Sequence, residues 1–379
     1  MKRISRCRLP VASGVRNRVL GMAYFDHHAT TVMCPPAREA WLRVQDRMWH
    51  NASSLYREAA AARDELERCR ERLAELTGCG DPETIVFTSG ATEGCDRFFR
   101  GWAERGVGEG GVRVSPYEHP AVREPAQRWC RARVVGEGAW EADRAGVRAW
   151  MAANNETGEV FAWQRWLAGG EREDGHRRFC DASQWWGKRP AAELAGIRAV
   201  VVGCAHKFGG PKGVGFVRLP EPVDAAGGWS GQNGGPQEHG RRAGTEDVAG
   251  VAAMVAALEW SEERMPGEAG PRDAFEESLG WPVVAGDRPR LWNTSLVVAP
   301  RHSNKRWLAR LSQRGIQCST GSACSSGKDG DSQVLAAMGL EPDAMRRVLR
   351  FSSGWATTDD DWHDLLAALR AVERELDAA

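Results

Sequence analysis

Ala199-Val200-Val201-Val202-Gly203-Cys204-Ala205-His206-Lys207-Phe208-Gly209-Gly210-Pro211-Lys212-Gly213 decides how this chain reads. The apolar, β-branched run 199–202 predicts a buried strand. It leads directly into His206-Lys207 and a glycine-rich turn. A lysine at a strand end, walled by apolar and glycine residues, gives up its proton more easily, because desolvation disfavours the ammonium. The neutral amine can then form a Schiff base with a carbonyl compound or with pyridoxal phosphate (PLP). The competing reading is a surface lysine beside a turn. Scarcity favours chemistry: of 51 Lys plus Arg only six are lysine, which leaves 45 arginines.

Outward from that stretch, short apolar runs alternate with helical patterns. Residues 84–87, 147–152, 177–180, 199–202 and 214–219 read as strands, and 54–76 and 93–104 as helices. This alternation predicts an α/β domain with a largely parallel sheet, whose ligands sit beyond the carboxyl ends of the strands. A helix at 248–264 leads into a Pro/Gly-rich break at 266–271. Beyond it, strands 291–298 and 348–352 and helices 305–313, 332–338 and 359–378 predict a second, smaller α/β domain. The expected division is 22–262 for the large domain and 263–379 for the small one. Residues 1–21 hold six basic side chains and no acid. They read as a disordered basic tail, or as sequence upstream of a working start at Met22, in preference to a transit peptide.

Three more segments lie where such a sheet would place ligands. In Phe87-Thr88-Ser89-Gly90-Ala91-Thr92-Glu93 a strand meets a helix N-terminus, which suits a phosphate or a plain helix cap. Asp181 in Phe179-Cys180-Asp181-Ala182-Ser183-Gln184 ends a buried strand and needs a partner. A protonated ring nitrogen would serve, and so would a helix N-cap role. Cys324 in Ser319-Thr320-Gly321-Ser322-Ala323-Cys324-Ser325-Ser326-Gly327 sits among small polar residues, as an exposed reactive thiol would. Cys318, after Gly315-Ile316-Gln317, reads as a strand-core thiol.

Composition excludes several classes. Lys plus Arg and Asp plus Glu both number 51, so no net positive charge draws the chain to nucleic acid or membrane surfaces. No apolar run is long enough to span a membrane. Ten cysteines without C-x-x-C pairs or a signal peptide fit reduced thiols in the cytoplasm. No metal site is expected.

Taken in order, these motifs resemble the PLP-dependent cysteine desulfurases of the NifS/IscS type, within the class V aminotransferases. The resemblance runs from Tyr24 to about Leu366. It also uses Asp26-His27-His28-Ala29-Thr30-Thr31, Asn51-Ala52-Ser53-Ser54, Glu118-His119, Asn154-Asn155-Glu156-Thr157-Gly158, Gly240-Arg241-Arg242-Ala243-Gly244-Thr245 and Arg350-Phe351-Ser352. It implies the type I fold of PLP-dependent transferases, with a mainly parallel seven-stranded sheet. It implies Lys207 as the Schiff-base lysine, and Ala91, Thr92 and His206 at the phosphate, with Thr245 reaching the site of a neighbouring subunit. Asp181 would face the pyridine nitrogen and Gln184 the phenolic oxygen. His119 would stack on the ring and assist proton transfer. Asn155 and Arg350 would bind the substrate carboxylate, and Cys324 would accept the sulfur as a persulfide. L-cysteine would become L-alanine in a homodimer that hands sulfur to acceptor proteins for iron–sulfur, thiocofactor or tRNA-thiolation pathways.

Departures keep alternatives open. Cys204 stands where the family usually has serine and, with a poorer donor, is a tentative phosphate ligand. His27-His28 replaces residues more often Asn or Tyr. Tyr56, Arg241, Trp185 and Trp186 are also unusual. A selenocysteine lyase, another class V aminotransferase, or a scaffold that has lost catalysis are the competing expectations. Cys324 speaks against a transaminase, and retention of the whole set speaks against an inert scaffold.

Overall fold

A computed structural model describes residues 22–106, 111–136, 146–162, 175–221, 229, 231–266, 269–321 and 332–378. Segment 1–21 and Cys324 lie outside them. β1 (Ala23–Tyr24) is followed by α1 (Pro35–Arg47) and α2 (Arg57–Thr77). Next come β2 (Ile85–Thr88), α3 (Ala91–Glu104), β3 (Val112–Val114), α4 (Pro120–Cys130) and β4 (Arg133–Val134). Then follow β5 (Val147–Ala149), β6 (Arg178–Asp181), β7 (Val200–Cys204), β8 (Gly215–Arg218) and α5 (Val248–Glu263). The C-terminal part holds α6 (Gly270–Leu279), β9 (Thr294–Val298), α7 (Asn304–Gln313), β10 (Ile316–Gln317) and α8 (Gln333–Ala337). It ends with α9 (Pro342–Met345), β11 (Val348–Ser352) and α10 (Asp359–Ala378).

Strands β2 to β8 form a seven-stranded sheet in the order β2-β8-β7-β6-β5-β3-β4. The pairs from β4 through β3, β5 and β6 to β7 are parallel, and β8 runs antiparallel to both β7 and β2. The expected mainly parallel sheet is therefore present. Strands β2, β6, β7 and β8 are buried along their whole length, which is why β2 and β7 read as apolar runs, while β6 and β8 bury the charged ends Arg178, Asp181 and Arg218. Phe98, Phe99 and Trp102 of α3 and Val122 of α4 form a core with Val86, Val202 and Val217 of the sheet. Residues of α1, α2 and α5 pack with Phe87, Val201 and Phe216 in another. A Cβ at Gly94 of α3 would lie 2.7 Å from Val217 and 2.9 Å from Val202, so glycine sets how closely that helix approaches the sheet. Trp185 and Trp186 are core residues, their indole N–H groups donating to Pro190 O and Val202 O.

A third core gathers Phe275, Trp307, Leu349, Phe351, Trp362 and Leu365, together with Ala23 and Phe25 from the chain's start. There β1 pairs with β10, and β9 with β11. Cys318, packed against this core, has its thiol pushed up by burial, as a strand-core thiol should. We propose the division 22–262 and 263–379 for the two units, with residues 23–25 as a segment that crosses into the second.

Four helices start at prolines that the sequence reading took as breaks or passed over. Prolines stand in the first two helical positions of α1, α4, α6 and α9, where a missing N–H costs nothing. The break expected at 266–271 thus runs into α6.

One buried ion pair ties this architecture to the site. Arg70 of α2 binds Glu238 at 2.8 and 2.9 Å, with both side chains almost fully buried. Glu238 also accepts from Phe87 N at 2.8 Å, and Arg70 donates to Ile85 O at 2.7 Å. The pair therefore fixes β2 against the segment that leads to Thr245. Glu238→Ala should lower unfolding free energy by about 3 kcal/mol, because it removes the buried carboxylate of the pair and leaves Arg70 with Ile85 O and the more exposed Glu67. Arg72→Ala, which removes the exposed pairs to Glu75 and Glu259, should cost under about 1 kcal/mol. Urea unfolding of both variants checks the contrast.

Candidate functional site

Segments beyond the carboxyl ends of β2, β3, β6 and β7 enclose a cavity of about 820 Å³. Ala91, Thr92, His119, Asn155, Asp181, Gln184, Cys204, His206, Lys207 and Arg350 all line it. Two predicted site residues are not among them. Thr245 is exposed and lies off the cavity of its own chain. Cys324 falls outside the described residues, but Gly321 and Ser332, which flank its segment, both line the cavity.

At one end α3 begins immediately after Gly90. That glycine has φ +151 and no capping side chain, and an added Cβ would meet nothing. The requirement is therefore conformational. Ala91 N–H faces the Cys204 sulfur, and without a capping side chain the N–H groups that follow can serve a ligand. Glu93, in the first turn, accepts from Ser89 N at 2.7 Å and pairs with Arg242 at 2.9 Å, so its charge is engaged. A Cβ on Gly215 would lie 2.7 Å from Gly90 Cα, so β8 can pass beneath the turn only as glycine. His206 Nδ1 lies 3.2 Å from Thr30 Oγ1. Burial, helped by the charges of Lys207, Lys188 and Lys212, lowers its pKa to about 4. Burial pushes the Cys204 thiol up, against the pull of Lys207.

In the centre, Lys207 Nζ donates to His28 O at 2.5 Å and Ala29 O at 2.9 Å. Behind it lies Lys188, a buried residue that the sequence reading left without a role. Its amine donates to Gln184 Oε1 at 3.1 Å and Lys207 O at 3.0 Å. That orients the Gln184 amide so that Nε2 donates to His28 O at 3.0 Å. Burial first, and then the Lys207 charge, bring Lys188 down to about 7. Two signals pointed to it: lysine is scarce, and position 188 is one helical turn from Gln184 in sequence.

Asp181 ends β6, and its Oδ1 accepts from Ser183 N at 2.9 Å. His119 caps α4, its Nδ1 accepting from Ala121 N at 3.1 Å, so the proton of the neutral ring sits on Nε2. Burial lowers the His119 pKa, and Asp181 partly opposes this. Glu118 Oε1 accepts from Ser115 Oγ at 2.8 Å and Met151 N at 2.7 Å, while Oε2 is buried without a partner. Burial and the Asp181 charge raise Glu118 to about 8.

The far wall joins the two units. Arg350 of β11 donates to Asn155 O at 2.7 Å and to Asp26 Oδ1 at 2.6 Å. The Asn155 side-chain oxygen is buried without a partner. Glu156 Oε2 accepts from Ser332 Oγ at 2.7 Å, and burial raises its pKa. The arrangement offers an amine, a helix N-terminus, a carboxylate and a buried guanidinium around one cavity. Such a set suits a phosphorylated aromatic ring together with a small amino acid.

Residues 23–269 match the family model described as aminotransferase class-V. The chain is 31% identical over 387 residues to a cysteine desulfurase of Klebsiella pneumoniae, covering 92% of each. It is 31% identical over 392 residues to an IscS-like cysteine desulfurase of Mycobacterium tuberculosis, covering 94% of this chain and 98% of that one. Its fold is similar to that of a NifS-like protein, with a TM-score of 0.81 and 25% identity, covering 95% of this chain and 100% of that chain.

Glu118 supplies a pH test. The unfolded carboxyl ionises above its ordinary value of 4.5, whereas the folded one stays protonated to about 8. The folded state therefore holds the extra proton across that window, and this contribution to stability falls as pH rises through it. Glu118→Gln cannot titrate. Its melting temperature, relative to the unsubstituted protein, should rise steadily across the window, and thermal unfolding at stepped pH checks this.

Proposed function

The chain belongs to the class V aminotransferase family, and from that premise we propose that it is a PLP-dependent cysteine desulfurase. It converts L-cysteine to L-alanine and holds the sulfur as a persulfide on Cys324. The observation that carries this reading is the cavity that joins Lys207, Asp181, His119 and Arg350 and from whose wall the Cys324 segment departs. A transaminase has no use for that thiol.

The residues fit PLP. The uncapped start of α3 and the neutral His206 ring suit a phosphate, and glycine at 215 keeps side chains out from beneath the turn. Ala91, Thr92 and His206 would hold the phosphate and Asp181 the pyridine nitrogen, with Gln184 at the phenolic oxygen and His119 against the ring. When bound, PLP supplies an aldehyde for amines and an electron-withdrawing ring that stabilises negative charge at the substrate Cα.

Lys207 is the amine that anchors the cofactor. Displaced by substrate, its Nζ would be the base for the Cα proton, placed for that by the His28 and Ala29 carbonyls at 2.5 and 2.9 Å. Nε2–H of the neutral His119 ring is a proton donor on the cavity wall, in the electrostatic reach of Asp181. Asn155 and the Arg350 fork orient the substrate carboxylate. The Cys324 thiolate attacks the substrate sulfur. An S–S bond forms as the C–S bond breaks, and the electron pair of the latter stays with the carbon that becomes the methyl of alanine.

Sulfur-acceptor proteins and a second copy of the chain are the proposed partners. Val32, Trp41, Leu42, Trp49, Leu55 and Tyr56 leave apolar surface exposed on and after α1. With Thr245 outside its own cavity, they support a homodimer in which Thr245 reaches the partner's phosphate. We place the protein in the cytoplasm. The eight cysteines among the described residues are unpaired, and no helix there is long and apolar enough to cross a membrane.

The purified protein should show visible absorbance from bound PLP and release alanine from L-cysteine. Lys207→Ala should lose alanine formation by at least about 10³-fold. Cys324→Ala should keep the absorbance and lose sulfide release; a variant still releasing sulfide at the unsubstituted rate would refute Cys324 as acceptor. Cys204→Ser restores a stronger donor and should lower the dissociation constant for PLP about threefold to tenfold, read by dialysis against limiting cofactor.

A further inference from the structure

His28 lies where the two units meet. Its carbonyl accepts from Lys207 Nζ and Gln184 Nε2, and its backbone N–H donates to Ser352 Oγ at 3.0 Å. The ring is buried. Nδ1 lies 3.0 Å from Asn155 O, and Nε2 lies 2.7 Å from Thr294 Oγ1 and 3.3 Å from Asn293 Oδ1. A carbonyl oxygen can only accept, so Nδ1 carries the proton. Nε2 is then left to accept the Thr294 hydroxyl proton, for which Asn293 Oδ1 at 3.0 Å is the other acceptor. Asn293 cannot turn its amide nitrogen to the ring, because Nδ2 already donates to Ser353 O at 2.9 Å. Lys188, Lys207 and Arg350 surround the ring with positive charge. Their charge adds to the burial that holds its pKa well below the ordinary value, so the ring is neutral.

The Asn155 carbonyl thus has two donors on opposite units: His28 Nδ1–H, and Arg350 Nη1 at 2.7 Å. We infer that His28 is a positioning residue for the substrate carboxylate, its Nδ1–H fixing the Asn155 peptide against Arg350 so that side chain and guanidinium converge on one anion. This assignment rests on the desulfurase reading, in which Asn155 and Arg350 take that carboxylate. Thr294 acts one step further back, by holding the ring in the tautomer that donates to Asn155. Losing Nδ1–H leaves the carbonyl with Arg350 as its remaining donor, and a displacement of order 1 Å at such a site is costly to binding.

Two amide substitutions separate the ring's two contacts. Asn carries its amide on Cγ, as His carries Nδ1, so His28→Asn keeps a donor for Asn155. His28→Gln moves the amide one bond outward, toward Thr294. Calorimetry on the PLP-loaded protein gives the dissociation constant for L-alanine, an α-amino carboxylate that needs no turnover. Steady-state kinetics give KM and kcat for L-cysteine. His28→Gln should raise both the L-alanine constant and KM about tenfold, equal to about 1.4 kcal/mol, with kcat within about twofold. His28→Asn should stay within about threefold of the unsubstituted protein in all three. Unchanged L-alanine binding in His28→Gln, or equal losses in the two variants, would overturn the assignment. Should the Gln variant fail to fold, Thr294→Val carries the test, with an expected threefold or so weaker L-alanine binding; an unchanged constant overturns it. Absence of alanine formation by the unsubstituted protein would sink the desulfurase reading instead and leave the L-alanine comparison standing.

Discussion

Arg350 is 2% exposed, and the site depends on how that buried guanidinium is satisfied. It binds Asp26 at 2.6 Å and the carbonyls of Asn155 and Gly321. Asp26 comes from the chain's start, Asn155 from the segment after β5, and Gly321 from the edge of the Cys324 segment. A buried charge needs partners, and these three come from parts of the chain far apart in sequence. The second unit therefore docks on the first with β11 facing the cavity. The pairing of β1 with β10 and the edge-to-face contact of Phe25 with Trp362 support the same docking from the apolar side.

Electrostatics follow from that enclosure. Lys207, Lys212, Arg123 and Arg350 line the cavity, and Lys188 lies behind it. Burial holds Glu118 and Glu156 toward their neutral forms, which leaves Asp26, paired with Arg350, and Asp181 as the carboxylates that face these cations. A phosphate and a substrate carboxylate complete the balance. The same burial keeps His119 and His206 neutral, so their rings can exchange protons or share hydrogen bonds without adding charge beside Lys207.

Much of this was legible in the sequence. The runs 199–202 and 348–352 are strands because β-branched and aromatic residues fill positions buried on both faces. The motif residues at strand ends converge because a parallel sheet brings those ends to one edge. The helices α1 and α6 were missed: α1 was passed over, and the Pro/Gly-rich stretch at 266–271 reads as a break until the first-turn position of Pro271 is seen. β4, two exposed residues long, gives no periodic signal at all.

By itself the sequence determined the fold class and the family, and it singled out ten of the residues that line the cavity. Those depend on local patterning and on motifs whose chemistry is written in consecutive residues. Only the tertiary structure decided what His28, Lys188 and Glu118 do. Each is a polar side chain whose role comes from partners distant in the chain and from removal from water, and neither is encoded in neighbouring residues. His28 meets Asn155 and Thr294, Lys188 meets the Lys207 carbonyl, and Glu118 meets Met151 N beside Asp181. Burial turns those meetings into fixed tautomers, shifted proton affinities and a site held at a set spacing.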